Sequence, residues 1–149
     1  MKGQFPGIIL GPKTMLTPDS GFATLLINST ASAIPHGAAC ASSPDHDASV
    51  VLQSTEYDTV GFAYGAIAAG ATGWVVTSGV AEALLKDGTA GVHGYWCKAA
   101  DIDGRIVSAT APSGLGAMST SEHFREVGHC LESKDAGTDV LVKLLLHFL

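Results

Sequence analysis

A chain of 149 residues with net charge −6, 46% hydrophobic and only 15% charged, is one domain's length and carries enough apolar side chains to fill a core. That balance excludes a charged disordered tail, and the acidic surplus argues against nucleic acid, whose phosphates require a Lys/Arg surface. No apolar run reaches the roughly 18 residues of a membrane helix, so neither nucleic acid nor membrane is an expected partner.

The N-terminus, Met1-Lys2-Gly3-Gln4-Phe5-Pro6, lacks the apolar stretch of a secretory signal. Three widely spaced cysteines do not suggest a disulfide framework, which points to a reducing compartment. Residues 1–21 are punctuated by Gly3, Pro6, Gly7, Gly11, Pro12, Pro18 and Gly21. Prolines remove amide donors and glycines weaken regular elements, so this segment reads as an extended N-terminal arm preceding a single β domain at 22–149. Its apolar residues Phe5, Ile8, Ile9 and Leu10 are costly to expose. The arm is therefore expected to dock on a neighbouring subunit or another protein through those four side chains. The alternative is an edge strand of its own domain.

From Phe22 the pattern is short and β-like. Phe22–Ile27, Ser49–Gln53, Gly73–Thr77 and Arg105–Ala109 combine β-branched and aromatic residues and end in Gly, Asp or Ser. Asp101-Ile102-Asp103-Gly104 between Tyr95–Ala99 and Arg105–Ala109 predicts a hairpin. Val80–Lys86 supports a short helix and a strand equally. Ser119-Thr120-Ser121-Glu122 offers capping residues for one short helix over Ser119–Glu126. Val140–Leu149 fits both periods. Because Gly128 spoils a helix over Val127–Leu131, the expectation is a hairpin with Val140, Val142, Leu144, Leu146 and Phe148 on one apolar face. His36-Gly37-Ala38-Ala39-Cys40, Thr72–Val76 and His93-Gly94-Tyr95-Trp96-Cys97 echo one another at uneven spacing, which recurrent hairpins explain better than a solenoid. The fold class is mainly β: a small barrel or sandwich of hairpins with an extended N-terminal arm and at most one short helix.

Motifs for chemistry are sparse. Asp45-His46-Asp47 follows Pro44 without metal-ligand spacing and reads as a polar loop tip. His129 and Cys130 are adjacent, so a strand sends them to opposite faces. Thr77-Ser78-Gly79-Val80 lacks the G-x-S-x-G elbow, and Gly61–Gly73 lacks a phosphate-binding pattern. Asn28-Ser29-Thr30 matches a glycosylation sequon, a frequent accidental match. Trp74 and Trp96 read as core aromatics sooner than as sugar platforms. No catalytic, metal or cofactor residues are expected.

Residues from about Val60 to Leu149 carry a further pattern. It comprises Ala69-Gly70-Ala71-Thr72-Gly73-Trp74-Val75-Val76-Thr77-Ser78-Gly79-Val80-Ala81-Glu82-Ala83-Leu84, Lys86-Asp87-Gly88-Thr89-Ala90, Gly94-Tyr95-Trp96-Cys97 and Asp103-Gly104-Arg105. It ends in His123-Phe124-Arg125-Glu126-Val127-Gly128-His129-Cys130-Leu131-Glu132-Ser133 and Ala136-Gly137-Thr138-Asp139-Val140-Leu141-Val142. This stretch resembles the small capsid decoration (cement) or head-fibre proteins of tailed bacteriophages. The resemblance implies a virion structural protein, made in the host cytoplasm, without catalysis or cofactor. It would bind the major capsid protein on the outside of the shell and assemble as a homo-oligomer, a trimer by preference. Two other classes stay open: a surface carbohydrate- or receptor-binding module, and a metal-assisted enzyme. The latter requires three of His36, His46, His93, His123, His129 and Asp47 to converge.

Overall fold

The computed structural model describes residues 7–54, 58–110 and 125–147. All regular structure among them is strand: β1 (Ile8–Gly11), β2 (Thr14–Leu16), β3 (Gly21–Asn28), β4 (Ala39–Ser42), β5 (Ser49–Leu52), β6 (Thr59–Tyr64), β7 (Thr72–Leu84), β8 (Trp96–Ala99), β9 (Ile106–Ala109), β10 (Glu126–Cys130) and β11 (Leu141–Leu146). The strands expected at 22–27, 49–53, 73–77 and 105–109 are present, as are the β8–β9 and β10–β11 hairpins. The helix expected over 119–126 falls mainly outside the described residues, and its last residue, Glu126, opens β10.

Hydrogen bonding closes the strands into two rings that share β7. In the first, β3 pairs with β5, β5 with β4, β4 with β6, β6 with β7, and β7 returns to β3. In the second, the far end of β7 pairs with β11, then β11 with β10, β10 with β8, and β8 with β9. A parallel bridge from Ile106 of β9 to Leu85, just past β7, completes that circle. Closure of this kind removes the exposed sheet edges that short hairpins otherwise leave. The segment Val80–Leu84, rich in helix formers, is strand because it pairs with β11 along its whole length.

The two rings are copies of one design. Gly37 N donates to Ala63 O at 2.8 Å, and Gly94 N donates to Cys130 O at 2.9 Å. Ile34 and Ile67 exchange both backbone hydrogen bonds, as Gly91 and Lys134 do. Asn28 pairs in parallel with Val50, and Leu85 with Ile106. Each ring carries the same bulge: Cys40 faces Gly61 and Ala41 faces Thr59 in one, Cys97 faces Gly128 and Lys98 faces Glu126 in the other. Gly37 and Gly94 turn the chain with φ of 76° and 79°, a conformation that explains why His-Gly precedes β4 and β8 alike. Thus two of the three sequence echoes are matching positions of a tandem repeat. The third, Thr72–Val76, is the closing strand of the first ring and has another place in the design.

Side-chain sizes compensate between the copies. In the first ring Ile34, Cys40, Val50, Ala63, Ile67 and Val75 are buried together. Their counterparts in the second are Gly91, Cys97, Ile106, Cys130, Lys134 and Leu144. A Cβ on Gly73 would lie 2.5 Å from Ile67, whereas the matching position of the second ring holds Val142 and Gly91 makes room for it. The face Val142, Leu144 and Leu146 expected on β11 is buried, with Val140 packed at its margin. Asn28, fully buried, latches the end of β3: its amide donates to Ser32 O at 2.8 Å and Ile67 O at 3.0 Å, and its oxygen accepts from Thr30 N at 2.9 Å. Those bonds occupy the Asn28-Ser29-Thr30 sequon structurally.

Candidate functional site

The N-terminal apolar residues lie at the edge of the assembly of strands. Among the described residues β1 pairs only with β2, and β2 pairs with β3, so β1 is the last strand of their hydrogen-bonded order. Ile8, Ile9 and Leu10 are 63%, 68% and 54% exposed, the three most exposed large hydrophobic side chains among the described residues. Phe5 lies outside the described residues. Beneath the hairpin, Met15 is buried and anchors β2 to the core that includes Ala23, Phe62 and Val76. One strand of the hairpin is therefore fixed by packing, while the other presents apolar side chains beside a backbone edge that no other described strand pairs with. Such an edge is a template for a further strand.

The residues whose types suit other chemistry are dispersed. Asp45, His46 and Asp47 are exposed in the β4–β5 loop. His36 is held by Glu82, with Nε2 2.7 Å from Oε2, and its Nδ1 accepts from Gly65 N at 2.8 Å. His93 occupies the turn before β8, where its backbone N donates to Ser133 Oγ at 3.1 Å. His123 lies outside the described residues. As the strand alternation requires, His129 is exposed and Cys130 is buried. The one group of three or more potential metal ligands among the described residues joins His129 to Glu126 and His147, neither of which the sequence reading had singled out.

All three cysteines are buried. Desolvation pushes the Cys40 thiol up to about 12. In the second ring Cys97 Sγ stands 2.8 Å from Cys130 Sγ. Their hydrogen bond, reinforced by burial, holds the Cys97 thiol well above the ordinary range, whereas the same bond lowers Cys130 to about 7. Either thiol can donate in this contact, which ties β8 to β10 inside the second ring. Lys143 is bound to Asp19 at 2.6 Å, which raises the ammonium above its usual range and ties β11 to the β2–β3 turn. Trp96 is buried and donates Nε1–H to Thr110 O at 2.8 Å, while Trp74 packs against the core. Trp96 is therefore closed to sugar stacking.

No protein-family model matches this chain, and no curated protein is similar to it in sequence. A solved structure does match: the head fiber gp8.5 N base in bacteriophage phi29, with a TM-score of 0.54 and 16% sequence identity, over 84% of this chain and 94% of that one. At that identity the likeness establishes the fold. The fold is similar to that of this head-fibre base, in agreement with the resemblance carried by the C-terminal two-thirds of the sequence.

Proposed function

We propose that this chain is a structural protein of a tailed-phage virion, which binds the outside of the capsid shell and stabilises or decorates it without catalysis. The observation that carries this reading is the fold likeness to a head-fibre base over most of this chain and nearly the whole of that one. The edge hairpin supplies a means of attachment. Strand addition to β1 would satisfy its outer backbone groups and cover Ile8, Ile9 and Leu10 in one step. Full burial of each contributes about 1.5–3 kcal/mol before the cost of association. The partner is the major capsid protein, and the chain acts as a homo-oligomer, a trimer in keeping with the resemblance.

The reading is tested on intact virions of the phage that encodes the chain. Mass spectrometry of gradient-purified particles is expected to find the protein in a fixed ratio to the major capsid protein. An amine-reactive label too large to enter the shell is expected to modify it before the particles are disrupted. Its presence in the lysate but not in particles, or labelling only after disruption, would refute an exterior virion role.

A further inference from the structure

We infer that Glu126, His129 and His147 form a binding site for a single divalent cation of the zinc class on the outer face of the second ring. Among the described residues these three place one ligand atom each within 4.8 Å of the others. His147 Nε2 lies 2.8 Å from His129 Nδ1 and 3.2 Å from Glu126 Oε1. Both contacts use the same nitrogen, which carries at most one hydrogen. Hydrogen bonding alone therefore serves the two contacts only by sharing one N–H between two acceptors, each bond weaker than a single well-aligned one. A cation at the centre satisfies all three, and two imidazoles with one carboxylate are a donor set suited to zinc and its first-row neighbours.

The backbone explains how the three meet. Glu126 and His129 are three residues apart, and in a regular strand an odd separation sends side chains to opposite faces. The register of β10 against β8 shifts between Glu126 and Gly128. This bulge inserts the extra residue that returns both side chains to one face. His147 follows β11, and its N donates to Val127 O at 3.3 Å, which aligns it across from them. Ligands about 2.0–2.2 Å from zinc in tetrahedral array are roughly 3.3 Å apart, so the site needs only a small opening between the two rings. Glu126 is largely covered while His147 is 36% exposed, leaving a coordination position toward solvent for water or a donor from another molecule.

The first ring acts as an internal comparison. Its matching positions are Thr59, Phe62 and Ser78, and Phe62 is fully buried. The common scaffold therefore does not require ligating residues there; the second ring has acquired them.

The test is titration of the chelator-stripped full-length chain with Co²⁺, followed by displacement with Zn²⁺. One equivalent is expected to bind and give visible d–d absorption without thiolate charge-transfer bands. His129→Ala and His147→Ala are each expected to weaken binding at least about tenfold, as loss of even a supporting group does at metal sites. His93→Ala, at an exposed histidine of the same ring, should bind as the parent does. In the unaltered chain, Zn²⁺ should shift the imidazole NMR signals of His129 and His147 selectively, a readout independent of any variant's folding. Absence of saturable binding, binding indifferent to both substitutions, or shifts confined to other histidines would overturn the inference.

Discussion

Gly128→Ala is expected to lower the stability of this protein by roughly 3 kcal/mol or more, against less than about 0.5 kcal/mol for Gly11→Ala. Gly128 has a φ of 153°, and a Cβ built there lies 2.1 Å from the backbone oxygen of Leu145. The obstacle is a strand backbone within the second ring, which cannot rotate away as a flexible side chain would. Gly61 occupies the same place in the first ring, where a Cβ meets Val76 O at 2.5 Å, so Gly61→Ala should be damaging for the same steric reason. Gly11 has nothing within 4 Å of the added atom. Urea unfolding followed by tryptophan fluorescence reads the difference, with Trp74 in the first ring and Trp96 in the second. A Gly128→Ala midpoint equal to the parent's would show that the bulge is not the fixed point assigned to it.

The repeat also predicts opposite outcomes at two matching positions. Phe62→Ala should cost about 3–5 kcal/mol, because a fully buried aromatic side chain leaves a cavity among Met15, Ala23 and Val76. His129→Ala, measured without metal, should change stability by no more than about 0.5 kcal/mol, because His129 is exposed. The two residues share a register, Phe62 opposite Val76 and His129 opposite Leu145. Only their covering differs: Val76 is buried and Leu145 is 47% exposed. Equal losses from the two substitutions would mean that the outer faces of the rings are covered alike.

Much of the strand content is legible from alternation, and β11 shows why. Val142, Leu144 and Leu146 point into the core while Leu145 does not, so the period of 2 is present in the residues themselves. Composition misleads at Val80–Leu84, where Ala, Glu and Leu favour helix locally. Pairing with β11 outweighs that preference, a tertiary effect that no local window contains. The repeat was only half visible. His-Gly and Cys recur before and within β4 and β8, but most matched positions have changed residue. The β9–β10 connection, 110–125, is also longer than its counterpart at 53–58, which destroys a constant period.

The candidate sites were legible to different degrees. Ile8, Ile9 and Leu10 announce themselves because apolar residues between prolines and glycines have no evident local core to enter. That they form the outer strand of an edge hairpin depends on pairing with β2, which a Gly/Pro-rich composition does not advertise. Glu126 and His129 were hidden by their odd spacing, which is harmless only with a bulge between them. The single usable hint was Gly128, placed centrally in an otherwise apolar strand, where glycine signals a bulge or a close backbone approach.

Co-sedimentation of the purified full-length chain with intact tailed-phage capsids, taken from the phage that the proposal implies as its source, tests the proposed role most directly. The account predicts saturable binding at a fixed ratio to the major capsid protein. It further predicts that a folded variant with Ile8, Ile9 and Leu10 replaced by serine binds at least about tenfold more weakly, since covering those side chains supplies several kcal/mol. A parent chain that stays in the supernatant at every capsid concentration would contradict the proposed role. Undiminished binding by the serine variant would remove the β1 edge from it.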